Sequence, residues 1–334
     1  MYYENKLETL RDLFGTNDVA LERGTLRVGS SRYPIIDDVI ILLEPAQYTD
    51  KVRSRTSDSF AEAALQDLPE YAEDVQFSFG SEWEAYDGIL PEHEIEFAQY
   101  FDLIDFESLG DKRLCDLGCG IGRWSWFLRD RCRELVLVDF SDAIFTARAN
   151  LKETRNCLFF MGDLKRLPLR DHFADFLFSL GVLHHLPTPC LDETRKLKRY
   201  SPCLLIFLYY ALDNRPFYFR WILAGATIIR RGVNRVRSAA FRKAFSLLVT
   251  WLVYVPFILL GRALQVLFGA GSAVPLYDGY HDKSPRRIEQ DVYDRFFTRI
   301  EQRVTRDEIE ALSDTFRTVR ISDGLPYWHF FVET

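Results

Sequence analysis

The chain has 334 residues, 48% of them hydrophobic and 27% charged, which fits a folded globular protein and excludes a wholly disordered one. A formal net charge of −7 argues against a general nucleic-acid binder, so no nucleic-acid partner is expected. Six cysteines, at 115, 119, 132, 157, 190 and 203, form no CxxC pair, which speaks against a disulfide framework or a zinc knuckle and for a reducing compartment. The N-terminus MYYENKLETLRDLF has no signal-peptide pattern, and a cytoplasmic location follows as the expectation.

In chain order, residues 1–50 read as a small β-containing unit, with a hairpin turning at Gly29-Ser30-Ser31 and Pro34 entering its second strand. Residues 51–111 form an acidic helical leader. Sixteen acids and no Lys or Arg lie between Ser57 and Asp111, and Pro91 is placed to start a helix through PEHEIEFAQYFDLI. From 112 the runs RLCDLG, ELVLVD, CLFFMGD, ADFLFSLG and CLLIFLYY alternate with helical stretches. That is the pattern of a parallel sheet covered on both faces, and it gives the fold class α/β, doubly wound. Residues 211–277 interrupt it as a basic, apolar helical insert after strand 5, with nine Lys/Arg and no acid between Asn214 and Tyr277. The alternation resumes in TRDEIEALSDT, a helix capped by its Thr, and in the strands FRTVRIS and YWHFFVE.

The first strand of the α/β region ends in Asp116-Leu117-Gly118-Cys119-Gly120-Ile121-Gly122-Arg123. Glycines at a strand-to-helix turn let the backbone bend tightly and a ligand approach closely. Seventeen residues beyond Gly122, Asp139 closes the next strand, where an acid accepts hydrogen bonds from both ribose hydroxyls of a nucleoside. Arg123 stands where a dinucleotide fingerprint wants Gly or Ala, and no GK[ST] follows for a P-loop. Asp116 would repel a pyrophosphate but suits an ammonium and a sulfonium. The pattern favours S-adenosylmethionine (SAM).

On these residues the chain resembles class I SAM-dependent methyltransferases over residues 112–210 and the last thirty or so, which implies a seven-stranded Rossmann-like sheet and the product S-adenosylhomocysteine, with no metal. The resemblance implies cofactor contacts at Gly118, Cys119, Gly120, Gly122, Asp139 and Phe140. It adds an adenine-side group in Gly162-Asp163-Leu164, and Leu180 beside the methionine part within Ser179-Leu180-Gly181-Val182-Leu183-His184-His185. Lys198-Arg199-Tyr200-Ser201-Pro202 departs from the Lys-Pro-Gly-Gly turn of many members. Phe79–Tyr86 is similar to a segment of methyltransferases from glycan and natural-product gene clusters, which makes Trp83 a lid over the cofactor or an anchor for the leader. By the same likeness the acceptor is a small-molecule or lipid-linked sugar or polyketide hydroxyl. Tyr33–Leu43 resembles the end of a Trm112-like unit, but no cysteine precedes residue 115, leaving a zinc-free docking or homodimerisation unit.

For the proton of a hydroxyl acceptor, His185 is the first candidate and His281 the second, with structural roles as the alternative for the 184–185 pair. Arg295, Arg299 and Arg303 suit a sugar or carboxylate, or a solvated loop. The run FSLLVTWLVYVPFILLG is interrupted by Pro256 and flanked by RRGVNRVRSAAFRK. Residues 217–261 therefore suggest an anionic membrane contact on the inner face, with Trp221, Trp251 and Tyr254 near headgroups, a soluble lid, or a true membrane span. A membrane-associated C- or O-methyltransferase of an isoprenoid or quinone-like lipid, and a non-catalytic SAM-binding scaffold, are the alternatives to the sugar or polyketide reading.

Overall fold

A computed structural model describes residues 2–56, 76, 88–325 and 327–334. Most of the acidic leader, including Trp83 and its neighbours from Phe79 to Tyr86, lies outside the described residues.

Helix α1 (Leu7–Phe14) precedes four short strands, β1 (Val19–Glu22), β2 (Thr25–Val28), β3 (Ser31–Ile36) and β4 (Val39–Ile41), each antiparallel to the one before. The hairpin expected around Gly29 is the β2–β3 turn. After helix α2 (Glu92–Tyr100) the apolar runs become β5 (Arg113–Leu117), β6 (Glu134–Asp139), β7 (Cys157–Met161), β8 (Phe176–Leu180) and β9 (Cys203–Leu208). Helices α3 (Arg123–Leu128), α4 (Ala143–Asn150) and α5 (Cys190–Leu197) alternate with them. The strand interiors are buried along nearly every position, because helices cover the sheet on both sides.

Within the described residues one sheet runs β1-β2-β3-β4-β7-β6-β5-β8-β9-β11-β10, where β10 is Thr318–Ile321 and β11 is Trp328–Glu333. It has eleven strands where seven were expected; seven of them, β5–β11, lie in the doubly wound part, with β11 antiparallel to β9 and β10. The other four come from residues 1–50, whose strand β4 pairs in parallel with β7 and so extends the same sheet. Sheet order reverses between β5 and β8, which leaves a crevice beyond their carboxyl ends.

The insert after β9 is helical: α6 (Phe217–Val233) and the long α7 (Ala239–Phe268), followed by α8 (Pro285–Phe297). Pro256 does not break α7. It lacks an N–H and crowds the carbonyl four residues back, and a wider π turn at Thr250–Tyr254 precedes it and keeps the helix continuous. A third apolar cluster, including Tyr254, Ile258, Ile288, Val292 and Phe296, joins α7 to α8. Tyr254 is thus buried and turned toward the protein, which corrects its expected place near headgroups. The short helix α9 (Arg306–Glu310) starts at Thr305, whose hydroxyl accepts from the Glu308 N–H while Glu308 accepts from the Thr305 N–H.

Candidate functional site

The crevice holds a cavity of about 120 Å3 lined by Gly118, Cys119, Gly120, Asp139, Phe140, Gly162, Asp163, Leu164 and Leu180, nine of the residues singled out from sequence. The turn out of β5 makes room for it. Gly118 has φ +81°, and a Cβ there would lie 2.3 Å from Val182 Cγ2, so only glycine fits. Gly122, at φ +74°, caps α3 instead of lining the cavity.

Asp139 organises this turn. Its Oδ2 accepts from the Gly120 N–H at 2.8 Å, and Oδ1 accepts from the Ser141 N–H and hydroxyl at 2.8 and 2.7 Å. Burial raises its pKa above the ordinary carboxylate value against these hydrogen bonds. Asp116 is fully buried behind the glycines, where its Oδ2 accepts from Ser125 Oγ at 2.6 Å. Burial lifts it to about 7, opposed by Ser125 and reinforced by Asp139.

Four residues of this cavity, Arg123, Trp124, Leu180 and Gly181, also line a larger chamber of about 610 Å3 between the sheet and the insert. One end of the chamber is charged. Glu96 of α2 accepts from Arg287 Nε at 3.0 Å and faces Lys283 at 3.5 Å, while Arg287 also holds Asp291. Burial alone would raise the Glu96 carboxyl, but Arg287, Arg123 and Lys283 outweigh it and hold it below the usual value. Arg215 pairs with Asp278 at 2.6 Å, Arg303 with Glu301 at 2.7 Å, and Tyr209 donates to Asp294 Oδ2 at 2.7 Å. Arg295 donates to Tyr280 Oη at 3.5 Å, and among the described residues its buried Nε has no hydrogen-bond partner. The other end is apolar, walled by Phe219, Ile222, Leu223, Ile229, Val249 and Val253 of the insert.

The histidines separate. His185 lines the cofactor-side cavity, and its Nδ1 donates to the Ile300 carbonyl at 2.8 Å, a bond that assigns the proton to that nitrogen. His184 is fully buried, stacks on Tyr209 with centroids 4.0 Å apart, and is held well below the ordinary histidine value by burial. His281 is exposed and lines neither cavity. Arg295 and Arg303 line the chamber and Arg299 does not.

Sequence reasoning missed the Glu96–Arg287–Asp291 cluster and the Tyr209–Asp294 pair. Glu96 and Arg287 lie 191 positions apart, so no local pattern joins them. The one signal was an arginine at 123 directly after a glycine turn.

Residues 114–199, about a quarter of the chain, match the family model described as a methyltransferase domain. No curated protein matches the sequence significantly. Among solved structures, phosphoethanolamine N-methyltransferase 1 of Haemonchus contortus, in complex with phosphoethanolamine and S-adenosylhomocysteine, aligns at TM-score 0.36 and 16% identity, over 43% of this chain and 34% of that one. This chain therefore spans about a third of that protein. A putative S-adenosyl-L-methionine-dependent methyltransferase of Methanococcus maripaludis aligns at TM-score 0.38 and 15% identity over 77% of this chain and 94% of its own. The Haloferax volcanii complex of the Trm112 activator with a putative methyltransferase gives 0.34 and 19%, over 44% and 66%. Likeness at this level carries nothing about acceptor or partner.

Proposed function

We propose that the chain is a SAM-dependent methyltransferase whose acceptor, a small molecule or a lipid-linked one, occupies the chamber beside the cofactor cavity. The observation that carries this reading is the shared wall: Arg123, Trp124, Leu180 and Gly181 belong to both spaces, so ligands in the two meet there. The acids and glycines around the cavity suit the cofactor. Gly118 lines it at a turn where a Cβ would strike Val182, and Asp139 lines it with Gly120 and Ser141 fixing its orientation.

When bound, SAM supplies a sulfonium-held methyl group open to in-line displacement. Asp139 would take the ribose hydroxyls, and Asp116 would supply negative charge behind the methionine ammonium. Gly162, Asp163 and Leu164 would border the adenine. The chain's further task is to hold the acceptor oxygen in line and remove its proton as the O–C bond forms and the S–C bond breaks. His185 faces the cofactor side, whereas Asp294, hydrogen-bonded to Tyr209, faces the acceptor side. We assign the proton to Asp294 and keep His185 as the rival to be tested against it.

A hydroxyl on a sugar or polyketide fits the charged end. The apolar walls of the insert favour an acceptor that also carries a lipid or isoprenoid portion. Release of S-adenosylhomocysteine from labelled SAM, incubated with polar and organic cell extracts separately, tests the reading. Turnover with either extract supports it. SAM binding without turnover in any extract would turn it to the scaffold alternative.

A further inference from the structure

Helix α7 buries Arg242, Ser246, Thr250, Tyr254 and Ile258 at helical spacing toward α8, and Gly261 further along against Tyr277. Its other faces are exposed and apolar: Leu248, Trp251, Leu252, Leu259, Val266 and Phe268. Helix α6 likewise exposes Phe217, Trp221 and Ile228. Among the described residues every exposed large hydrophobic side chain except Ile95 lies on these two helices. Unpartnered apolar surface on this scale marks a docking face.

The chamber opens on that face. Ile222 and Ile229 of α6 and Val253 of α7 are exposed and also line the chamber. The apolar end of the acceptor site is thus continuous with the apolar exterior, while its far end meets the cofactor cavity.

Charge says what covers the face. Arg220, Arg231, Arg235, Lys243 and Arg262 are exposed on the insert, and it has no acid between Asn214 and Tyr277, in a chain of net charge −7. Two copies meeting here would bring like charges together, whereas an anionic leaflet neutralises them. The basic cluster is smaller than its sequence suggests: Arg230 turns inward to Glu301 at 2.6 Å, and Arg242 is buried, with its Nε donating to the Val236 carbonyl. Helix α7 has 30 residues and a mean hydropathy of 2.1 in its most apolar window, enough to cross a membrane by length and composition. The polar stripe of Arg242, Ser246 and Thr250 packed on α8 keeps it lying on the domain.

We infer that the outer face of α6 and α7 beds in an anionic lipid leaflet and that the chamber loads an amphipathic acceptor sideways from the bilayer, through a mouth formed by Ile222, Ile229 and Val253. The acceptor's apolar chain lies among the insert helices and its head reaches the charged end. Six cationic and four carboxylate side chains line the chamber, so an anionic head is the better match. The acceptor part of this inference rests on the methyltransferase reading; the lipid face does not.

The test uses the full chain in three measurements. Flotation with vesicles of phosphatidylcholine and phosphatidylglycerol at low salt should carry wild type to the top of the gradient. Pure phosphatidylcholine or 1 M salt should recover at least tenfold less. The exposed pair Trp251→Glu with Leu252→Glu should stay at the bottom while binding SAM with unchanged affinity in calorimetry. For the mouth, the probe is 11-(dansylamino)undecanoic acid, whose emission rises in an apolar site. Gly225 lines the chamber with nothing within 4 Å of a built Cβ, so Gly225→Trp should fill the space, weakening probe binding at least tenfold while vesicle and SAM binding persist. Wild type that ignores anionic vesicles at low salt, or that instead forms a dimer abolished by the Trp251 and Leu252 changes, overturns the lipid face. Probe binding that is absent, or unaffected by Gly225→Trp, overturns the mouth. Loss of SAM binding in wild type would strike the proposed function and leave vesicle binding to be judged by itself.

Discussion

Replacing Asp139 by Asn keeps the shape of the side chain and exchanges one charged acceptor oxygen for an amide donor. In the structure that carboxylate accepts three hydrogen bonds, from Gly120 N–H and from the N–H and hydroxyl of Ser141. On the proposed reading it accepts ribose hydroxyls as well. Hydrogen bonds to a charged partner contribute about 1.5–3 kcal/mol each, and every 1.4 kcal/mol is about tenfold in affinity. Loss of one ribose contact therefore predicts a SAM dissociation constant at least about tenfold higher. The amide can still offer its carbonyl to one neighbour, so the fold should survive with a modest fall in melting temperature. Calorimetric titration with SAM, paired with thermal melts of the free protein, separates the two effects. An unchanged dissociation constant with the fold intact would refute the assignment of Asp139 to the ribose.

Asp116, raised to about 7, stays protonated in the free fold at mildly acidic pH, whereas the unfolded carboxyl has lost its proton above about 4. The stability it contributes is therefore fully present below about 4 and is lost as pH rises through about 7. A cationic ligand favours its ionised form, so SAM binding at pH 6 should release a proton, seen by calorimetry in buffers of different ionisation enthalpy, and no release would remove Asp116 from the site. Asp294→Asn should lower turnover about 10²–10⁴-fold with SAM affinity unchanged; if His185→Ala does this instead and Asp294→Asn stays within a few-fold of wild type, the base is His185. Glu96→Gln removes one partner from a buried ionic cluster and should cost about 3 kcal/mol in denaturant unfolding, since Arg287 and Lys283 lose their shared carboxylate. A change below about 0.5 kcal/mol would make the cluster dispensable to the fold.

The five parallel strands were legible because burial on both faces writes them as near-continuous apolar runs, each ending in a turn residue. The glycine turn and Asp139 were legible for a related reason: steric demand at Gly118 and the acid at a strand end act within twenty-odd residues of one another. The extension of the sheet by β1–β4 was not, because its decisive contact is a two-residue parallel pairing of Ile40 and Ile41 with Phe160 and Met161, far along the chain. Pro256 misled for a local reason, since a π turn absorbs it and lets α7 run through. The acceptor chamber was the least legible part, being assembled from α2, the insert and α8, whose facing side chains share no spacing rule.

The most direct test of the central claim is a titration of SAM into the 334-residue chain, with NAD and ATP as controls. Saturable binding at one site per chain, weakened at least about tenfold by Asp139→Asn and unmatched by either control, is the result the structure predicts. No heat from SAM up to millimolar concentration, or a preference for NAD or ATP, would contradict it.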